Sequence, residues 1–224
     1  KATLSLVLEG ADEHYVYSLQ VNKARRAGGE ALTAERMDIG EALAEQWLPE
    51  MHSVVFTSAT VTVSNSFDHF NRSVGLDRLP KGSFSCVQLE SSYNFQENMA
   101  VVVAGDIPDP RDRDAYLAAM ENLLVDVHMA MGGSTLTLFT NRRDMEDLYG
   151  RVEPRLSRQG LELACQLRGT SVKRLRDRFL SEESSSLFAL KAFWEGFDAS
   201  GDTLRCVVIP KLPFANPTEP LSCE

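Results

Sequence analysis

The second half of the chain alternates short apolar runs with longer amphipathic segments. Five apolar runs have the length and composition of buried strands, and they lie at residues 99–104, 135–139, 161–165, 186–190 and 204–209. Three segments repeat apolar residues every three to four positions, as helices do, and they span residues 111–131, 144–159 and 171–179. Strands that alternate with helices in this way form right-handed βαβ units. The pattern therefore predicts an α/β fold with a doubly wound, mostly parallel sheet.

The first 80 residues follow a different pattern. A β-hairpin, a short helix and a buried strand are predicted there, at residues 14–35, 39–48 and 53–57. These elements are too few for an independent domain. We expect residues 1–80 to be the last part of a domain whose main body lies outside this sequence. Residues 77–83 then form a linker to a second domain over 81–224.

Composition limits the classes of protein that fit. The chain has 224 residues, 43% of them hydrophobic, which is enough to bury one good core and a smaller attached piece. No apolar run approaches the ~18 residues that span a membrane, and no secretory leader is recognisable. Cys86, Cys165, Cys206 and Cys223 lack the paired spacing of metal sites, so we expect reduced structural thiols and no metal ligands. These features predict a soluble, cytoplasmic protein.

The charge distribution is uneven along the chain. The net charge of −9 disfavours a nucleic-acid binder when taken globally. Residues 142–178, however, hold ten Lys/Arg against six Asp/Glu, a net +4 that leaves −13 on the remainder. This asymmetry fits a phosphate-contacting face on an acidic body. An ordinary solvated helix surface has the same composition, and charge alone favours that interpretation.

Two polar turns follow predicted strands, at the sheet edge where parallel α/β folds bind ligands. Thr140, Asn141 and Arg142 open a helix and offer hydroxyl, amide and guanidinium donors to a phosphate. Simple capping of that helix by Thr140 or Asn141 explains the same residues. A second turn at a helix start, Gly169-Thr170-Ser171, fits either anion binding or a tight turn with a serine cap, and both can hold at once.

The segment KAFWEGFDASG at 191–201 follows another predicted strand. Glu195 and Asp198 lie three positions apart, so one helical turn places both carboxylates on one face. There they can accept a ribose hydroxyl or orient an arginine near a γ-phosphate. Phe193 or Trp194 can offer a base a stacking surface. The alternative is that the aromatic side chains pack inward and the carboxylates are merely solvated.

These segments resemble, in order, the motifs of the DinG/XPD-like branch of superfamily 2 DNA helicases. TSAT at 57–60, with the following SFDHF, is similar to motif III, and LFTNRRDM at 138–145 is similar to motif IV. The turn at 165–171 resembles the family's DNA-backbone-binding QGxxxS segment, and FWEGFD at 193–198 resembles motif V. Residues 203–221 are similar to the run that precedes motif VI.

The resemblance implies a RecA-like three-layer fold and a set of site residues. It implies that 1–80 closes the first motor domain, and that 81–224 is the second motor domain, truncated before motif VI. It implies that Glu195 and Asp198 are catalytic. It also implies that the nucleotide is contacted by Ser58, Thr60, Gly196 and Asp198. Nine residues are implied to contact nucleic acid: Thr140, Asn141, Arg142, Gly169, Thr170, Ser171, Lys191, Phe193 and Trp194.

The sequence also departs from the family pattern. It contains no G-x-x-x-x-G-K-[ST] phosphate loop, no DEAH-type box and no Q-x-x-G-R-x-x-R motif, so we expect the fragment alone not to hydrolyse ATP. The resemblance implies ATP and Mg²⁺, bound mainly by a first motor domain outside this sequence. It also implies single-stranded DNA as partner, 5′ to 3′ movement, and an iron–sulfur cluster only as a feature of the full-length protein. The sequence leaves the oligomeric state open, and we expect a monomer. Lys191-Ala192 stands where the family often has Asp-Ser, and Asn141-Arg142 replaces Ser-Tyr.

Two other classes of function stay open at this stage. A degenerate, non-hydrolytic relative would act as a nucleic-acid-binding or scaffold module, and Lys191-Ala192 is its best support. A different α/β nucleotide enzyme, such as a transferase, would need a complete phosphate-binding loop within these residues.

Overall fold

A computed structural model describes residues 14–21, 30–199 and 201–214. They divide into two compact units, one holding the described residues up to Met99 and the other spanning Ala100–Phe214. The predicted boundary after residue 80 falls inside the first unit. The assignment of 1–80 and 81–224 to two motor domains stays a prediction.

The first unit begins with the predicted hairpin. Strands β1 (Tyr15–Val21) and β2 (Glu30–Arg36) pair antiparallel, which confirms that prediction. Its helical elements are short and follow one another along the chain. They are α1 (Gly40–Ala42), a π-helical turn (Leu43–Trp47), two 3-10 turns (Leu48–Glu50 and Leu76–Arg78), α2 (Asp68–Ser73) and α3 (Phe95–Asn98).

Two predicted strands do not form. Residues 53–57 and 99–104 pair with no neighbouring strand of the described chain. They are largely exposed: Val55 is 85% exposed, and the three valines at 101–103 are 76–88% exposed. A strand needs a partner for its backbone N–H and C=O groups. The apolar composition of these runs was therefore read correctly, but the prediction that they are buried strands was wrong.

The second unit is a parallel α/β sandwich. Its four strands are β3 (Thr135–Leu138), β4 (Leu163–Cys165), β5 (Ser186–Ala189) and β6 (Cys206–Val208). They lie in the order β4-β5-β3-β6, and every adjacent pair is parallel. Its longer helices are α4 (Arg113–Met131), α5 (Arg142–Ser157) and α6 (Val172–Ser181).

Alternating side chains of the central strands supply two cores. Phe188 of β5 packs with the apolar faces of α4 and α5 in one buried cluster. Its neighbours Leu187 and Ala189 face the opposite side of the sheet and pack against Leu175 and Phe179 of α6. Helices thus cover both faces of the sheet, and the predicted three-layer α/β class is confirmed. Within the described ranges, no helix combines the length and the apolar character needed to cross a bilayer.

Candidate functional site at the carboxyl edge of the sheet

Three loops leave the same edge of the sheet because their strands are parallel. We call them the β3 loop (139–141), the β4 loop (166–171) and the β5 loop (190–199). They contain every predicted nucleic-acid residue except Arg142, which is the first residue of α5. The fold therefore brings together the candidate motifs that are separated by up to about fifty residues of sequence.

Gln166 and Trp194 tie these loops to one another. The Gln166 side-chain Oε1 accepts a hydrogen bond from Leu190 N at 2.8 Å. Its backbone oxygen accepts from Arg142 Nη1 at 2.8 Å. The Trp194 indole Nε1 donates to Phe139 O at 3.3 Å. Each loop is thus bonded to at least one other, which gives the edge a defined shape.

The β3 loop ends in a helix cap. Asn141 Oδ1 accepts from Asp144 N at 2.8 Å, and its Nδ2 donates to Asp144 Oδ2 at 2.9 Å. Asn141 therefore caps the helix, as the alternative interpretation predicted, and both its amide oxygen and its amide nitrogen are hydrogen-bonded to Asp144. Thr140 is exposed beside it. Arg142, besides its bond to Gln166, approaches Glu146 Oε1 at 3.4 Å. Its guanidinium therefore contacts other groups of the protein and holds the β4 loop against α5.

Asp144 is the centre of a charged cluster behind the β3 loop. Its Oδ2 accepts from Lys211 Nζ at 2.7 Å, and its Oδ1 lies 3.2 Å from Arg113 Nη2. Burial alone would raise the pKa of this carboxyl, but the hydrogen bonds from Asn141 and Lys211, together with the positive charges of Lys211 and Arg113, outweigh burial and lower the pKa below its usual value. Lys211 Nζ also lies 4.6 Å from the centroid of the Tyr116 ring. The chain leaving β6 is thereby fixed to the first turns of α4 and α5.

The β4 loop forms a turn that ends in a serine cap. Gly169 has φ +81°, a conformation that favours glycine. Ser171 Oγ accepts from Arg174 N at 3.4 Å and caps α6, as predicted. Thr170 is half-buried, while Gly169 and Ser171 are exposed. Anion binding by this turn stays a prediction.

The β5 loop anchors its aromatic side chains inward. Phe193 is only 3% exposed and belongs to the core beneath α6, so its ring offers no surface to a base. The predicted stacking role of Phe193 is wrong in this conformation, because the ring fills the core. Trp194 is half-buried with its indole N–H in use, and Lys191 is exposed at the start of the loop. Phe197 packs against Phe179 and Phe193, with ring centroids 5.8 and 5.3 Å apart.

Glu195 and Asp198 are both exposed. The predicted helical turn between them does not form: the 3-10 turn ends at Phe193, and Gly196 takes φ +66°. This left-handed conformation interrupts any helix. The carboxylates are therefore displayed by a loop whose aromatic neighbours are packed, which matches the inward-packing alternative for the rings. Their catalytic and nucleotide-binding roles stay predictions.

Ser58 and Thr60 belong to the first unit and form a local turn there. Thr60 N donates to Ser58 Oγ at 3.2 Å, and the two hydroxyl oxygens lie 3.3 Å apart. Both residues are exposed. A local turn accounts for these contacts, and nucleotide binding by the pair stays a prediction.

Basic side chains around the second unit are divided between ion pairs and solvent. Of the ten in residues 142–178, four pair with carboxylates: Arg142, Arg151, Arg155 and Arg178. The other six have no ion-pair partner within the described ranges: Arg143, Arg158, Arg168, Lys173, Arg174 and Arg176. Sequence reasoning missed the bracing roles of Gln166, Arg142 and Lys211, since only the folded loops bring their partners together.

The described residues do not fit an iron–sulfur cluster. Such a cluster takes thiolate ligands, whereas burial raises the pKa of the Cys165 thiol to about 12. Burial also raises the pKa of Cys206, and Cys86 lies in the first unit. No group of three or more potential metal-binding side chains occurs within the described ranges.

The sequence matches known helicases. Residues 124–223 match the family model described as the helicase C-terminal domain. The chain is 28% identical to the 3′-5′ exonuclease DinG of Bacillus subtilis, over 99% of this chain and 24% of that protein. It is 33% identical to the ATP-dependent DNA helicase YoaA of Haemophilus influenzae, over 75% of this chain and 24% of that protein. For YoaA of Escherichia coli the identity is 29%, over 83% and 28%.

The chain thus spans about a quarter of the length of these relatives. The matched region contains all four strands of the parallel sheet and the three loops at its carboxyl edge. From motif order, fold and similarity together, the chain belongs to the DinG-like helicases and carries the region of their C-terminal domain.

Proposed function

We propose that this chain is the second motor domain, with the last part of the first, of a cytoplasmic ATP-dependent DNA helicase. In this proposal the whole protein couples ATP hydrolysis to movement along single-stranded DNA during repair or replication. The supporting observation is the convergence of three loops at one sheet edge, where exposed hydroxyl, basic and carboxylate side chains lie on loops that are bonded together.

The nucleic-acid side of the proposal uses the exposed donors of this edge. Thr140, Ser171 and Lys191 are exposed and positioned by strand ends, so they suit the phosphates of a single strand. Trp194 is the remaining aromatic candidate for contact with a base, since Phe193 is in the core. Arg142 would act indirectly, by holding the β4 loop against the start of α5.

The nucleotide side uses the β5 loop. ATP with Mg²⁺ is the substrate that supplies the phosphoryl-transfer chemistry. Glu195 and Asp198 would accept hydrogen bonds from ribose hydroxyls or orient an arginine, and Gly196 would let the loop approach the nucleotide closely. Ser58 and Thr60 are the proposed nucleotide contacts of the first unit. Because this sequence lacks a phosphate loop, we propose that the fragment alone does not hydrolyse ATP.

The test uses the full-length protein, whose ATPase rate is measured with and without single-stranded DNA. We expect stimulation by the DNA and binding that weakens with salt. Lys191→Ala should reduce the slope of log affinity against log salt by about 0.7, the value for one lost phosphate contact on a single strand.

Arg158→Ala is the matched control. Arg158 is an exposed arginine that follows the last turn of α5, at the end of that helix opposite the carboxyl edge. Its removal should leave affinity and salt slope unchanged. DNA binding without any ATP hydrolysis would favour the non-hydrolytic module instead, which Lys191-Ala192 already suggests. Absence of both binding and hydrolysis would contradict the proposal.

A further inference from the structure

One aromatic ring joins the exposed carboxylates of the β5 loop to the basic helix α6. Phe197 lies between Gly196 and Asp198, and its ring packs on Phe179 of α6 with a centroid distance of 5.8 Å. The guanidinium carbon of Arg176, also on α6, lies 5.5 Å from the centroid of the same ring. A planar cation at this distance from a ring face is attracted by its quadrupole.

Arg176 lies at the border between the buried and the basic faces of α6. Phe179, one turn later, is 1% exposed and packs in the core, whereas Lys173, one turn earlier, is exposed to solvent. Among the residues that the structure describes, no carboxylate lies within ion-pair distance of Arg176. Its described contact is therefore the Phe197 ring, and its charge is not neutralised by that contact.

The guanidinium can bind two groups at once. A guanidinium can turn its flat face toward a ring while its five N–H donors lie in the plane and point outward from the edge. A phosphate oxygen can therefore accept hydrogen bonds from Arg176 while the ring contact persists. A lysine ammonium carries the same charge but has no flat face.

We propose that Arg176 is a positioning residue that couples contact with single-stranded DNA to the orientation of Glu195 and Asp198, acting through Phe197. This inference rests on the proposed function. A DNA phosphate held by Arg176 fixes the guanidinium over the ring. The ring in turn fixes the loop segment on which both carboxylates are displayed.

The experiment compares two quantities in the full-length protein: affinity for single-stranded DNA, and the ratio of ATPase rates at saturating DNA and without DNA. Arg176→Lys keeps the charge and loses the planar face. We expect it to bind DNA with near wild-type affinity. Its stimulation ratio should fall by about two- to fivefold, the range that corresponds to a partly exposed cation–π contact.

Further variants separate coupling from folding and from simple binding. Phe197→Leu should lower the stimulation ratio in the same way, and Phe197→Tyr, which keeps the aromatic face, should retain it. Arg174→Ala is the matched control, because Arg174 is exposed on the same helix and has no described ring contact. It should weaken DNA affinity yet reach the wild-type stimulation ratio at saturating DNA. Thermal unfolding of each variant verifies the fold.

The outcomes separate the two proposals. A stimulated wild type with a normal ratio in Arg176→Lys overturns the coupling alone. An Arg176→Lys variant that loses only affinity, as expected for Arg174→Ala, also overturns the coupling. A wild-type protein that single-stranded DNA does not stimulate overturns the proposed function together with the coupling.

Discussion

His128 lies fully buried between α4 and the sheet, and each of its ring nitrogens faces a hydroxyl. Nδ1 is 2.9 Å from Ser186 Oγ, and Nε2 is 3.1 Å from Thr137 Oγ1. Burial lowers the pKa of this imidazole from 6.5 to about 4. The unfolded chain therefore binds a proton at pH values where the folded chain does not. Stability contributed by neutral His128 is complete above about pH 6.5 and is lost as the pH falls toward 4.

Between about pH 7.5 and pH 5 the free energy of unfolding should fall by about 2 kcal/mol through this group. Urea unfolding at the two pH values measures the change. His128→Gln, which can hydrogen-bond both hydroxyls but does not titrate, should remove that part of the pH dependence. An unchanged difference between the two pH values in the variant would show that His128 does not titrate as argued.

At the scale of the element, α5 depends on its first turn. Asn141 caps the helix and also bonds the Asp144 carboxylate, which is shared with Lys211. Asn141→Ala should lower the free energy of unfolding by about 1 kcal/mol, as expected for a lost cap. Asn141→Ser keeps a capping oxygen and should recover most of the loss. Equal stability of the alanine and wild-type proteins would contradict the role of the cap.

The sequence predicted the elements whose partners are local to one α/β unit. Residues 135–138 and 186–189 were assigned correctly because apolar runs bounded by helices are typical of central parallel strands. The same composition at 53–57 and 99–104 predicted strands that do not form. The hydrophobic pattern of a segment indicates that it is suited to burial in a sheet, but it does not indicate whether a neighbouring strand is present.

The candidate site was predictable only in outline. Strand ends located the three loops, because the carboxyl edge of a parallel sheet follows from chain order. The inward turn of Phe193 and the bracing by Arg142 depend on contacts with residues of other loops. A hydrophobic or basic residue in a loop has no periodic signal that tells packing from ligand binding.

For the whole molecule, the uneven charge has a structural counterpart. The net +4 of residues 142–178 includes four basic side chains that are paired with carboxylates, two of them with Glu121 of α4. In the proposed function, the unpaired basic side chains of the β4 loop and α6, such as Arg168, Lys173 and Arg174, are the ones that a phosphate backbone would meet on an otherwise acidic protein. Under that proposal, ion pairing within the protein and phosphate binding would thus be carried by different members of one basic segment.

The exposed valines at 101–103 should make the isolated chain prone to aggregation. Val101, Val102 and Val103 are 76, 88 and 85% exposed, and they form an uncharged, β-branched run. Such a run can add to the same run of another copy by edge-to-edge pairing, which leads to aggregation. Val102→Lys should therefore reduce light scattering in concentrated solutions while leaving the unfolding midpoint unchanged, because the side chain buries little surface. Equal light scattering by both proteins would show that aggregation involves a different surface.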